Sequence, residues 1–271
     1  VPTRVEAVDD PRIAAYVSVR ERDLAGRDGE FLAEGDVVVR VLIASQRYRV
    51  RSVLVSERRW ASAQPVLAGL DPGAEIFVAP QPVMDAIVGF PIHRGLLAVA
   101  ERGAARDPGA LLDEIGSAGV TTVVGVVGIA NHDNLGGIFR NAAAFGAGAV
   151  LLDATSCDPL YRKAIRVSVG GALVVPFARC ASAEAMLALL AARGFETIAL
   201  APRATERIDQ LTLGPRRAIV LGAEGPGLPA AVLARTRGAR IDIVDGFDSL
   251  NVAVTSGIAL HALSAHRMNR K

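Results

Sequence analysis

Lysine is almost missing from this chain. Of its 30 basic residues only Lys163 and Lys271 are not arginine. Arginine suits planar, two-pronged phosphate contact, yet a GC-rich coding bias, visible also in the abundant alanine and glycine, explains the ratio more simply. A formal charge of +2 is too small to diagnose a nucleic-acid partner by itself. Cysteine is scarce as well. Cys157 and Cys180 form no CxxC pair, which argues against a disulfide scaffold, implies no metal site and predicts a reducing compartment. No uninterrupted apolar run is long enough to span a bilayer, and Val1–Asp10 holds no apolar signal core. A cytoplasmic protein with no membrane partner is therefore expected.

Several signature loops are absent too. There is no P-loop lysine and no nucleophile elbow, and Gly125 and Gly128 do not make a GxGxxG ahead of a helix. Gly222-Ala-Glu-Gly-Pro-Gly227 sets a proline where the helix of a dinucleotide-binding turn would begin, which disfavours a nucleotide-dependent oxidoreductase.

What is present is a chain of 271 residues, 51% hydrophobic, enough for one large core or two ordinary ones. Apolar spacing in the first part predicts helices over 11–22, 34–44 and 57–69, and strands over 31–33, 51–55, 75–78 and 96–99, which together make an α/β layer structure. Arg, Gly, Asp and Pro then break the pattern over 101–109 as a linker would. Residues 40–59 carry Arg40, Arg47, Arg49, Arg51, Arg58 and Arg59 against the single acid Glu57. Such a patch, with Tyr48 able to stack on a base, suits an RNA backbone. A solvated surface is the plainer alternative, since residues 1–100 hold 12 basic and 13 acidic side chains. His93, alone in a Gly-rich turn, reads as a turn or packing residue.

Beyond the linker, apolar runs at 122–129, 149–152, 173–175, 197–200, 217–221 and 240–244 read as strands. They alternate with helices over 135–145, 159–167, 182–193, 229–234 and 250–267. Nearly continuous apolar runs suit strands buried on both faces, so a doubly wound parallel sheet is expected, with its special residues at strand-to-helix turns. Before the last helix stands Asp248-Ser-Leu-Asn-Val252, where Ser249 or Asp248 is expected as the cap.

Three motifs follow one another in order: Asn134-Leu-Gly-Gly-Ile-Phe-Arg140, Leu221-Gly-Ala-Glu-Gly225 and Ser249-Leu-Asn-Val252. Their order and spacing resemble the SpoU (TrmH) branch of the SPOUT RNA methyltransferases, over residues 121–266. The resemblance implies an α/β protein with a C-terminal SPOUT domain, parallel sheet and trefoil knot, over 120–271. A linker over 104–119 would precede it, and before that an α/β domain over 1–103, similar to the ribosomal-protein-L30e-like domain that holds RNA. It also implies a homodimer and S-adenosylmethionine as cofactor, bound mostly by backbone around Leu221, Gly222, Ile241, Ile243, Leu250 and Asn251. The catalytic set it implies is Asn134, Arg140, Glu224, Ser249 and Asn251. RNA would be held by Arg40, Arg47, Arg49, Arg58, Arg59, His93 and Arg94. The chain departs from the family pattern at Arg94, where Gln is common, at Asp242, where Pro is common, and at Ala253, where Ser is common.

The reaction so implied is methyl transfer to a ribose 2′-hydroxyl, of ribosomal rather than transfer RNA. A guanidinium is a poor base, so Arg140 reads as a grip on the adjacent phosphate that orients the hydroxyl. The alternative is a catalytically silent RNA-binding protein of the same fold.

Overall fold

The computed structural model describes residues 2–17, 29–88, 95–116 and 119–268, with side chains through 264. In chain order come β1 (Thr3–Arg4), α1 (Ala14–Val17), β2 (Glu30–Glu34), α2 (Asp36–Ser45), β3 (Val50–Ser56), α3 (Trp60–Leu67), β4 (Glu75–Ala79), α4 (Gln81–Val88) and β5 (Leu96–Glu101). There follow α5 (Pro108–Ile115), β6 (Thr121–Val126), α6 (His132–Ala144), β7 (Ala149–Leu152), α7 (Arg162–Val167), α8 (Gly171–Val174) and β8 (Phe177–Arg179). The last are α9 (Ala183–Ala192), β9 (Glu196–Leu200), β10 (Glu206–Arg207), β11 (Arg216–Leu221), α10 (Ala230–Leu233), β12 (Arg237–Arg240) and α11 (Val252–Met268). Two compact units result, Val1–Ala104 with Leu160–Val174, and Ala105–Pro159 with Val175–Lys271.

The first unit is built on a five-stranded sheet of order β1-β4-β3-β5-β2. Strand β5 runs antiparallel to both neighbours, and the other pairs are parallel. Tyr16, Leu32, Leu54, Phe77, Met84, Ile87 and Leu97 pack into one core. The Tyr16 hydroxyl shares a buried hydrogen bond of 2.7 Å with Ser52 Oγ, so the phenol is buried without an orphaned polar atom.

Residues 160–174 belong to this unit, although in chain order they lie between β7 and β8. Arg162 Nε donates to the buried Glu34 carboxylate at 2.9 Å, and Arg47 Nη1 donates to Val174 O at 2.9 Å. The stretch 173–175, expected as a strand, mostly ends α8 instead. Leu173 N donates to Gly170 O at 2.9 Å in a helical turn, and the sheet receives 177–179 in its place.

The second unit is a seven-stranded sheet of order β10-β12-β9-β11-β6-β7-β8, parallel at every pairing. From β6 the chain steps outward through β7 and β8, then returns to the far side of β11 with β9. Strand order thus reverses beside β6 and β11, and the crevice at their C-terminal ends is where such sheets take ligands. Within 104–119, expected as a linker, Pro108–Ile115 form α5. Asp107 Oδ1 accepts from Ala110 N at 2.8 Å, Pro108 occupies the first turn, and Leu111 and Leu112 enter the sheet's core. A proline in a helix's first turn starts the helix, because the N–H it lacks would have had no partner there. The expected strand at 240–244 is displaced to Arg237–Arg240, and 241–250 is irregular. Among the described residues no helix is long and apolar enough to cross a membrane.

Candidate functional site

Three parallel strands, β6, β11 and β12, release loops at the same edge of the second unit's sheet. The loop after β6 is anchored first. Asp153, buried just beyond β7, accepts from Gly128 N at 3.1 Å, Ser156 N at 2.9 Å, Ser156 Oγ at 2.6 Å and Thr155 Oγ1 at 2.5 Å. Ser156 Oγ in turn accepts from Ile129 N at 3.2 Å. Arg179 closes the back of the same loop by donating to the carbonyls of Asp153, at 2.7 Å, and Ser156, at 2.8 Å. Burial pushes the Asp153 carboxyl up, but these donors outweigh it and hold the group below its ordinary value. With the loop fixed, Asn131 caps α6 by accepting from Asp133 N at 2.8 Å, and Asn134 falls in the helix's first turn, 6% exposed.

The loop after β11 doubles back on itself. A Cβ on Gly222 would lie 2.5 Å from Gly227 C and from Leu228 N, so a side chain is excluded there by backbone alone. The doubling places the exposed Glu224 at the tip of the loop.

The third loop leads into α11, and its cap is Asn251 rather than Ser249 or Asp248. Asn251 Oδ1 accepts from Ala253 N at 2.9 Å and Val254 N at 3.3 Å. With the oxygen committed to the helix, the amide nitrogen must face the other way. It donates to Asn134 Oδ1 and to Glu224 Oε1, each at 2.9 Å. Both donors and both acceptor positions of the amide are used, and one side chain joins the three motifs. The opposite amide orientation would set an NH2 against two backbone N–H groups, so the cap decides it.

Helices α6 and α11 pack closely behind this junction. A Cβ on Gly137 would lie 2.6 Å from Ala253 Cβ, and Asn141 Nδ2 donates to Ala253 O at 2.7 Å and to Ser256 Oγ at 2.9 Å. The Asp153–Ser156–Arg179 anchor and the Asn141–Ser256 seam carry no local sequence signal, since each joins residues from different elements.

Residues 121–261 match the SpoU rRNA Methylase family. An uncharacterized tRNA/rRNA methyltransferase of Mycobacterium tuberculosis is 38% identical over 263 residues, which is 93% of this chain and 88% of that protein. The chain belongs to the SpoU rRNA methylase family. Among solved structures, an RNA 2′-O ribose methyltransferase superposes with a TM-score of 0.80 at 25% identity, over 98% of this chain and 100% of the other. An AdoMet-bound rRNA methyltransferase from Sinorhizobium meliloti shares the fold with a TM-score of 0.82 at 20% identity, over 97% and 98%.

The remaining expected residues are placed unevenly around this SpoU fold. Arg140 lies on α6, exposed, with no hydrogen bond or ion pair among the described residues, and Ser249 is likewise exposed and unbonded. Neither touches the Asn251 junction by a hydrogen bond. Leu221 is buried at the end of β11, while Ile241, Ile243 and Leu250 are half-buried. The arginine patch of the first unit is partly neutralised. Arg49 pairs with Glu101 at 3.3 Å, Arg51 with Glu30 at 2.5 Å, and Arg59 with Asp36. Arg40 and Arg58 are exposed and unpaired among the described residues, and His93 and Arg94 lie outside the described residues. No cluster of three potential metal ligands occurs among the described residues.

Proposed function

We propose that this SpoU-family protein uses S-adenosylmethionine to methylate a ribose 2′-hydroxyl of RNA, ribosomal rather than transfer RNA. The Asn251 junction carries this reading, because it binds the three motifs into one wall beside the crevice at the ends of β6 and β11. The residues assigned to the cofactor fit its chemistry. Ile241, Ile243 and Leu250 offer half-buried apolar side chains in an irregular stretch, and their backbone N–H groups bond to no main-chain carbonyl among the described residues. Apolar enclosure with free backbone donors and acceptors suits a purine edge. When bound, the cofactor supplies a methyl group already activated on a sulfonium.

The protein's own task is to place the hydroxyl in line and help it lose its proton. Asn134, Glu224 and Asn251 form the fixed wall, and Ser249 faces the nucleotide. Arg140, unpaired on the same helix as Asn134, grips the phosphate next to the target ribose. The first unit holds the RNA as an L30e-like module, and the second carries the trefoil knot and the methyl transfer, in the cytoplasm. Val254 and Ile258, one turn apart on α11, are 51% and 39% exposed, an apolar strip that a second copy of the chain covers in a homodimer.

Arg140→Ala tests the assignment. Incorporation of labelled methyl into ribosomal RNA is lost while calorimetric affinity for S-adenosylmethionine is kept; a fully active variant refutes it. Sedimentation at micromolar concentration tests the dimer, and a monomer in the presence of cofactor counts against it.

A further inference from the structure

We propose that the segment 160–174 is an RNA-backbone grip of the first unit, with Arg166 as its principal contact and Arg40 of α2 beside it. The segment carries Arg162, Lys163 and Arg166 and no acid. Arg162 is committed to Glu34. Ala164, Ile165 and Ser168 form the buried side of α7, so Lys163 and Arg166, three residues apart, share its exposed side. Arg166 makes no hydrogen bond or ion pair among the described residues. The segment is held in one shape: Arg47 is tied to Val174 O, and Val169 closes α7 at φ 53°, a costly backbone for a β-branched residue.

The turn that follows packs against α2. Gly170 meets the side chain of Val41, to which a Cβ on the glycine would come within 2.8 Å, and Arg40 is Val41's neighbour in α2. Charge that the sequence places at residues 49–59 is largely cancelled by Glu101, Glu30 and Asp36. Among the described residues Arg40 and Arg166 stay uncancelled, on the two elements that the Gly170–Val41 contact joins, as does Arg58 ahead of α3. An unpaired guanidinium presents a fork that matches phosphate oxygens, and two such groups on packed elements suit a nucleic-acid backbone without reading its bases.

This inference rests on the RNA reading above. Its test is fluorescence anisotropy of an RNA hairpin of mixed sequence against salt, with methyl transfer to total ribosomal RNA measured in parallel. Arg166→Ala and Arg40→Ala are expected to weaken binding about 3- to 10-fold and to make the log–log salt slope shallower by about 0.7–0.9 for each guanidinium removed. KM for RNA rises, kcat and cofactor affinity hold, and Arg166→Lys restores most of the loss. Arg166→Gln, which keeps the side-chain stem, separates lost charge from lost packing and is expected to behave like the alanine variant. Unchanged affinity and slope in the alanine variants overturn the grip, as does an equal loss in Arg235→Ala, an exposed arginine of the second unit. A wild-type protein that binds no RNA overturns the RNA reading itself.

Discussion

Asn251→Asp keeps the size and the capping oxygen of the side chain and reverses only its donor half. The carboxylate still accepts from the backbone at the start of α11, so the cap survives. The two 2.9 Å bonds to Asn134 and Glu224 are lost, and a second negative charge stands beside the first. Each bond contributes about 0.5–1.5 kcal/mol, towards the lower end at an exposed site. The repulsion adds about 1 kcal/mol in well-solvated surroundings. A deficit of about 2–4 kcal/mol at pH 8 follows, or roughly 5–12 °C in melting temperature for a chain of this size.

Acid should reverse this deficit. The introduced carboxyl, next to a carboxylate, binds its proton more tightly folded than unfolded, so it favours the native state at low pH and loses that contribution as pH rises. Once protonated it again offers an O–H donor. The gap to wild type should therefore narrow below about pH 5. Asn251→Ala, which loses cap and bonds alike, should keep a constant gap of about 2–3 kcal/mol. Melting curves across pH, with methyl transfer measured alongside, make the comparison. An Asn251→Asp protein as stable as wild type at pH 8, or one whose gap ignores pH, refutes the bridging role.

Other expectations follow from neighbouring features. Gly137→Ala should lower the melting temperature despite alanine's better helix propensity, because a Cβ 2.6 Å from Ala253 Cβ overpacks the α6–α11 seam by about 1–3 kcal/mol; a stabilised variant would refute the seam's tightness. The lowered Asp153 carboxyl contributes stability that is present above about pH 4 and lost as pH falls through its native value. Asp153→Asn should accordingly be less stable than wild type at pH 7 and approach it in acid, as thermal scans would record. Burial pushes the Cys157 and Cys180 thiols up to about 11, so both should resist iodoacetamide at pH 7.5 until the chain unfolds; mass spectrometry of the labelled native protein would detect the contrary.

The second unit's sheet was legible because its strands are apolar on both faces, as at 123–126 and 149–152. The junction of Asn134, Glu224 and Asn251 was legible as three motifs, though not as one amide with four bonds. The cap is not legible in the sequence because Asp248, Ser249 and Asn251 are all good caps; in the structure Asn251 Oδ1 takes the role. Pro108-Gly109 reads as a break from composition alone, and burial of Leu111 and Leu112 decides for a helix. The arginine patch misled for a long-range reason. Arg51 meets Glu30 across 21 positions and Arg49 meets Glu101 across 52, pairings that no local window contains. Residues 160–174 carry a helical pattern without any sign of which sheet they cover.

The bond from Asn251 to Asn134 spans 117 positions of chain. Closing so large a loop is entropically costly and has no reward until the intervening strands have paired. The site is therefore among the last features to form and the first to be lost when α11 loosens. A chain arrested part-way, with β6, β7 and α6 already in place, would have secondary structure and a core but no Asn251 junction. Activity in this protein should thus report completion of the fold more stringently than circular dichroism does, and refolding followed by both signals should show catalysis lagging behind helix.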